Sequence, residues 1–182
     1  MAAGSISKRR KVFVVHGRSL RARDAMFEFL GALGSHPIGW AEAVRGTRKT
    51  TVHISEIVTS GFAQAQAFVV LLTGDDEGRL RKRFRTKTDL EYERNATPQP
   101  RLNVVFEAGM AFGRHPQRTV FVQLGRKMRP FTDIAGIYVL PFAGSRKDRE
   151  LLRGQLEGAG CSISAREDWL KAGDFSRPVH AE

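Results

Sequence analysis

Cysteine is almost absent: Cys161 stands alone in 182 residues, which excludes an internal disulfide, and no Cys/His group has the spacing of a structural zinc site. Long apolar runs are absent too. Nothing approaches the ~20 consecutive apolar residues of a membrane span, and the opening Met1–Lys11 stretch is polar and basic with no apolar region behind it. The expectation is a soluble protein of a reducing cytoplasm, with no membrane partner. Acidic residues are the third scarcity, 19 against 30 lysines and arginines, for a net charge of +11. What is plentiful is apolar side chain, 41% of the residues, enough for one sizeable core and hence one domain with tails.

A charge of +11 calls for an anionic partner to be considered: a nucleotide, a nucleic acid or an acidic protein surface. Much of it is local. Lys8, Arg9, Arg10 and Lys11 precede the first apolar run, while Arg79, Arg81, Lys82, Arg83, Arg85 and Lys87 crowd one stretch. Nucleic-acid surfaces usually interleave such charge with aromatics, and only Phe84 interrupts the second run, so the sequence favours a solvated loop over a nucleic-acid surface there.

Val12-Phe13-Val14-Val15 is a continuous apolar run ending at His16-Gly17, the pattern of a strand buried on both faces. Ser19 is placed to cap a helix in which Ala22, Met26, Phe27, Leu30 and Leu33 share one side and which Gly34 closes. His36–Trp40 is a weak second strand, and 43–49 a polar, basic loop. Thr50 or Thr51 then caps a helix with Ile54, Ile57, Val58 and Gly61 at helical spacing. Phe68–Leu72 is the clearest strand. From Thr73 to about Arg101 a charged stretch with Pro98 and Pro100 predicts a long loop or insertion. Leu102–Arg114 is helical, with a stripe of Val104, Val105, Ala108, Ala111 and Phe112. Val120–Leu124 and Ile137–Phe142 supply two more strands, and Lys147–Gly158 a charged helix whose apolar side is Leu151, Leu152 and Leu156. The predicted organisation is a basic tail over 1–10, a domain over 11–160 and an irregular tail over 161–182.

Apolar strands alternating with amphipathic helices predict an α/β fold: a five-stranded parallel sheet in the flavodoxin-like order 2-1-3-4-5, with helices on both faces. Ligands of such sheets lie beyond the carboxyl ends of the strands, beside the first strand. That nominates His16–Ser19, the 43–50 loop and Gly74–Asp76.

Four segments in order, Lys11-Val-Phe-Val-Val-His-Gly-Arg18, Val69-Val-Leu-Leu-Thr-Gly-Asp-Asp76, Asn103-Val-Val-Phe-Glu-Ala-Gly109 and Asp133-Ile-Ala-Gly-Ile-Tyr-Val-Leu-Pro-Phe142, carry a family resemblance. The chain resembles the bacterial TIR-like domains that act as effectors in cyclic-nucleotide-triggered anti-phage defence, over roughly residues 11–160. The resemblance implies a TIR fold and cleavage of NAD+ at the nicotinamide–ribose bond, with NAD+ as substrate and no cofactor. It places the catalytic carboxylate at Glu107. Spacing alone reads Glu107 more readily as a surface helix glutamate. It does put Glu107 beside the apolar stripe and on the side of Asn103, near a helix start whose dipole should help keep the carboxylate ionised.

Around that carboxylate the resemblance implies a pocket bordered by Arg18 and Ser19, with Arg18 paired to the pyrophosphate and the Ser19 amide receiving an oxygen. The two read as readily as a loop arginine and a helix cap. Asp75 and Asp76 are candidates to bond ribose or to brace the Arg18 loop, and equally turn residues. Trp40 and Phe62 are candidate stacking faces or plain packing. Arg45, Gly46 and Arg48 fall where the family's BB loop contacts a neighbouring protomer, which implies homotypic assembly. Relatives usually carry a cyclic-nucleotide sensor, such as a STING-like domain. The residues after 160 are too few to fold one, so a sensor is expected in cis beyond this sequence or in trans. Relatives often have proline where Gly74 stands, and their counterpart of residues 79–101 is shorter. A non-catalytic TIR adaptor and a nucleotide-binding module remain alternative readings.

Overall fold

Apolar runs that do not alternate can be buried only in a sheet covered on both faces, and a computed structural model, which describes residues 6–125, 128–130, 136–164 and 166–175, places them there. The strands are β1 (Lys11–Val15), β2 (His36–Ile38), β3 (Ala67–Leu72), β4 (Asp76–Gly78), β5 (Thr97–Gln99), β6 (Thr119–Leu124) and β7 (Val139–Phe142). The helices are α1 (Leu20–Ala32), α2 (Trp40–Gly46), α3 (Ile54–Gln64), α4 (Glu91–Arg94), α5 (Leu102–Arg114) and α6 (Arg146–Gly158). The main sheet runs β2-β1-β3-β6-β7 with every pair parallel, which is the expected 2-1-3-4-5 order counted over its own five strands. No helix among the described residues is long and apolar enough to cross a membrane.

The pleat divides the core in two. Val12, Val14, Val69, Leu71, Val122 and Leu140 face α1 and α6, meeting Met26, Phe29, Leu152 and Leu156. Phe13, Val15, Phe68, Val70 and Phe121 face α2, α3 and α5, meeting Ala43, Ile57, Val58, Phe62, Val104, Ala108 and Ala111. Phe62 is therefore core: its ring stands edge-on to Phe68 at 4.8 Å and to Phe13 at 5.6 Å between centroids, which removes it from the stacking candidates.

Several expectations are corrected. The 43–49 loop is largely helix α2, because Ala43 is buried against α3 and β1 and the His36 ring meets the Glu42 carboxylate at 3.0 Å. A Cβ at Gly46 would lie 2.0 Å from Nε2 of Gln64, so a larger residue there would displace the end of that side chain. The α3 cap is His53, not Thr50 or Thr51, and its backbone N–H donates to Glu56 at 3.3 Å. On α6, Leu152 and Leu156 are buried but Leu151 is exposed. The stretch 76–101 is a built arm rather than a loop. Its β4 and β5 pair antiparallel, α4 lies between them, and the Leu80 amide donates to the Glu93 carbonyl at 2.7 Å.

The tail after residue 160 is also ordered where described. Cys161 and Trp169 join the core, and Phe175 packs beside Phe142, 4.8 Å between ring centroids. Arg149 of α6 fastens this segment. Buried, it donates from Nε to Gly144 O (2.8 Å), from Nη1 to Trp169 O (2.9 Å) and Ala172 O, and from Nη2 to Gly173 O (2.9 Å), with its guanidinium over Phe29 and Phe175. The segment was unreadable as structure because a single buried arginine, not a hydrophobic period, organises it. Residues 1–5, Asp133 to Ala135 of the fourth motif, and 176–182 lie outside the described residues.

Candidate functional site

Because β1 and β3 are neighbours, the loops leaving their carboxyl ends abut. The Arg18 backbone N–H donates to Oδ2 of Asp75 at 2.7 Å, tying together residues 57 positions apart. Gly17 lets that carboxylate approach, for a Cβ at 17 would stand 1.7 Å from Oδ2. Ser19 then caps α1 as expected, its Oγ accepting from Ala22 N at 3.4 Å. The Arg18 side chain is exposed. His16 is half-buried, and burial holds its pKa below the usual 6.5, so the ring is neutral at pH 7. Its Nδ1 lies 3.0 Å from Gly17 O, which can only accept, so the proton sits on Nδ1 and the lone pair on Nε2.

The second element is α5, which starts at this same edge of the sheet and packs on β3 and β1. Val104, Ala108 and Ala111 hold it down, and Glu107 sits among them on the wheel, half-buried. Burial pushes the Glu107 pKa up from 4.5 to about 7. This corrects the expectation of a carboxylate kept ionised by the helix dipole: Glu107 lies more than a turn inside the helix, where the dipole has faded and the loss of water dominates. Asn103, one turn earlier, is exposed.

Other candidates are placed elsewhere. Asp76 begins β4 and its carboxylate receives Arg101 at 3.3 Å, fixing the arm at the N-cap of α5. Of the two adjacent aspartates, Asp75 thus braces the Arg18 loop and Asp76 braces the arm. Trp40, the first residue of α2, is exposed. Arg45 and Gly46 belong to the last turn of α2, and Arg48 follows in the left-handed region at φ 54°, all three exposed. A cleft of about 390 Å³ lined by Glu28, Gly144, Arg149, Lys171 and Phe175 lies on the α1/α6 face, across the sheet from Glu107. Among the described residues no group of three or more His, Cys, Asp or Glu side chains is gathered to hold a metal ion.

One residue escaped the sequence reading: Arg101 gave no signal beyond its charge. The brace of the Arg18 loop by Asp75 was among the expected roles, and a 2-1-3 strand order already makes the loops after the first and third strands neighbours.

The edge thus presents a neutral histidine and a braced Arg18 loop at a helix start, and Glu107 stands on the helix that begins at the same edge, its carboxyl poised near neutrality. No curated protein matches the chain. The model of one family does match, over residues 11–144, and it spans β1, β3 and α5 with all the groups just described: the chain belongs to the TIR-domain family of CAP12/Pycsar effector proteins, and is a TIR module of a defence effector.

Proposed function

We propose that the chain is an NAD+ glycohydrolase whose catalytic group is Glu107. The observation that carries this reading is the half-buried carboxyl on α5 whose pKa is raised to about 7 by burial, inside the matched region. Cleavage breaks the C1′–N bond of the nicotinamide riboside with both electrons going to the ring nitrogen, so nicotinamide leaves neutral and needs no acid. The positive charge passes to the ribose as an oxocarbenium-like centre, which an ionised Glu107 stabilises. Water then adds at C1′ and releases a proton, giving ADP-ribose. A pyridinium cation beside Glu107 favours the ionised form, so substrate binding itself prepares the carboxylate. Arg18 and the first turn of α1 suit the pyrophosphate, and the Asp75 brace holds that loop in place before substrate arrives. The exposed Trp40 suits a stacking contact, and Asn103 a ribose hydroxyl. Arg45, Gly46 and Arg48 suit contact with a second copy, and a cyclic-nucleotide sensor in cis or in trans supplies the trigger.

A non-catalytic assembly module is the second reading. Leu102 and Phe106, 73% and 67% exposed, favour it, because they leave an apolar strip on the outer side of α5.

The test is nicotinamide release from NAD+ by wild type and Glu107→Gln at rising protein concentration, with assembly followed by light scattering. Release that needs Glu107 supports the enzyme. Equal release by the variant, or none from assembled wild type, overturns it in favour of the assembly module.

A further inference from the structure

Seven Lys/Arg–Asp/Glu ion pairs stud the described surface, among them Arg21–Asp174, Lys49–Glu56, Arg146–Glu150 and Arg153–Glu157, and none involves residues 79–87. Yet this is the most basic stretch of the chain. Most acids nearest in sequence are engaged elsewhere: Asp76 by Arg101 (3.3 Å), Glu93 by Arg129 (2.6 Å), Asp89 by the Thr86 amide and hydroxyl (2.6 and 2.7 Å) and Glu91 by Asn95 (3.4 Å), which leaves the exposed Glu77 as a single carboxylate against five cations. Arg85 turns inward, with Nε donating to Leu80 O at 2.8 Å. Arg79, Arg81, Lys82, Arg83 and Lys87 are exposed, and their side chains make no hydrogen bond or ion pair among the described residues. These cations are held on an ordered base, by the β4/β5 ladder and the Arg101 and Arg129 pairs, rather than on a loose tail. At its tip, a 3-10 turn over Lys82–Phe84 exposes 60% of Phe84, with Arg83 4.7 Å over one ring face.

We propose that the β4–β5 arm binds the backbone of a single-stranded nucleic acid, with Arg79, Arg81, Lys82, Arg83 and Lys87 on phosphates and Phe84 stacking a base. Net positive charge alone would suit any polyanion. The exposed aromatic backed by an arginine is what selects bases, which offer a flat face, over the carboxylates of an acidic protein. The irregular, turn-tipped arm also carries no helix or ribbon long enough to follow a duplex groove, which favours a single strand. The competing basic cluster at residues 8–11 is partly used internally, Arg9 donating to Gly160 O at 3.3 Å and Arg10 to Gly34 O at 2.7 Å. This inference is independent of NAD+ cleavage.

The experiment is fluorescence anisotropy of the whole chain with a labelled dT20 strand over a series of salt concentrations. Binding is expected with a slope of log K against log salt of about −3.5, five contacts at about −0.7 each for a single strand. Replacing all five cations by glutamine should abolish binding while leaving the unfolding midpoint in place. If that variant does not fold, the pair Arg81→Gln/Arg83→Gln should reduce the slope by about 1.4. Phe84→Ala should weaken binding by on the order of tenfold, and Lys8→Ala/Lys11→Ala should leave it unchanged. The proposal is overturned by any of four results: no binding at low salt, binding insensitive to the arm substitutions, tighter binding of a 20-base-pair duplex, or equal affinity for labelled polyglutamate with no dependence on Phe84.

Discussion

Two ionisable side chains sit on opposite faces of one sheet, and their surroundings differ in kind. Arg149 on the α1/α6 face is buried, and its guanidinium is engaged by four carbonyl oxygens, so its charge is spent on structure. Burial draws its pKa below the ordinary guanidinium value, and the nearby Glu28 and Asp148 carboxylates act in the opposite direction. Glu107 on the α5 face is half-buried with no such partners among the described residues, and burial is the one cause behind its raised pKa. A satisfied buried ion is a fastener; a carboxyl that burial alone has shifted toward neutrality is the kind of group the proposed chemistry would use.

The sharpest way to break this contrast is Arg149→Met. It should strand four carbonyls and release residues 161–175 from the core, lowering stability by about 3 kcal/mol or more, read as a shift in the urea midpoint. A variant as stable as wild type would show the clasp to be incidental. Cys161 supplies a local readout: its thiol is buried, with a pKa pushed up to about 11, and should become reactive to thiol reagents when the clasp opens.

Glu107 should behave in the opposite sense. Because folding raises this carboxyl's pKa from 4.5 to about 7, the native chain keeps a proton that the unfolded chain gives up, and stability is lost as the pH rises through that window. Glu107→Gln should therefore be more stable than wild type above pH 7, by about 1–2 kcal/mol after allowance for the water that still reaches the carboxyl, and equal to it below pH 4.5. Thermal melts at pH 4 and pH 8 measure both ends, and a pH-independent difference would remove the burial argument. The smallest effect belongs to the brace. Asp75→Ala should cost about 1 kcal/mol in chemical denaturation through the lost Arg18 N–H bond, and Gly17→Ala should cost more than that by pushing the Asp75 carboxylate away.

Much of the scaffold was legible before any coordinates. β1, β3 and β6 are short, β-branched-rich apolar runs that alternate with amphipathic helices, the pattern of a covered parallel sheet, and Ser19 and Gly34 mark the ends of α1 through local chemistry alone. The resemblance carried by four segments pointed to the family that the match over residues 11–144 establishes. Where the reading failed, the deciding contacts were remote. The helicity of Trp40–Gly46 depends on α3, the ladder of the arm pairs Asp76 with Gln99, and the tail is held by Arg149. Such partners leave no period in the chain.

The sequence by itself determined the five apolar strands of the main sheet, most of the helix faces and the position of Glu107 on α5, because hydrophobic periodicity and chain order are local properties. Tertiary structure alone decided the protonation of Glu107, the division of labour between Asp75 and Asp76, and which cations of the arm stay uncompensated. Each depends on the distance of closest approach between residues far apart in sequence, and on how much water the fold leaves around them.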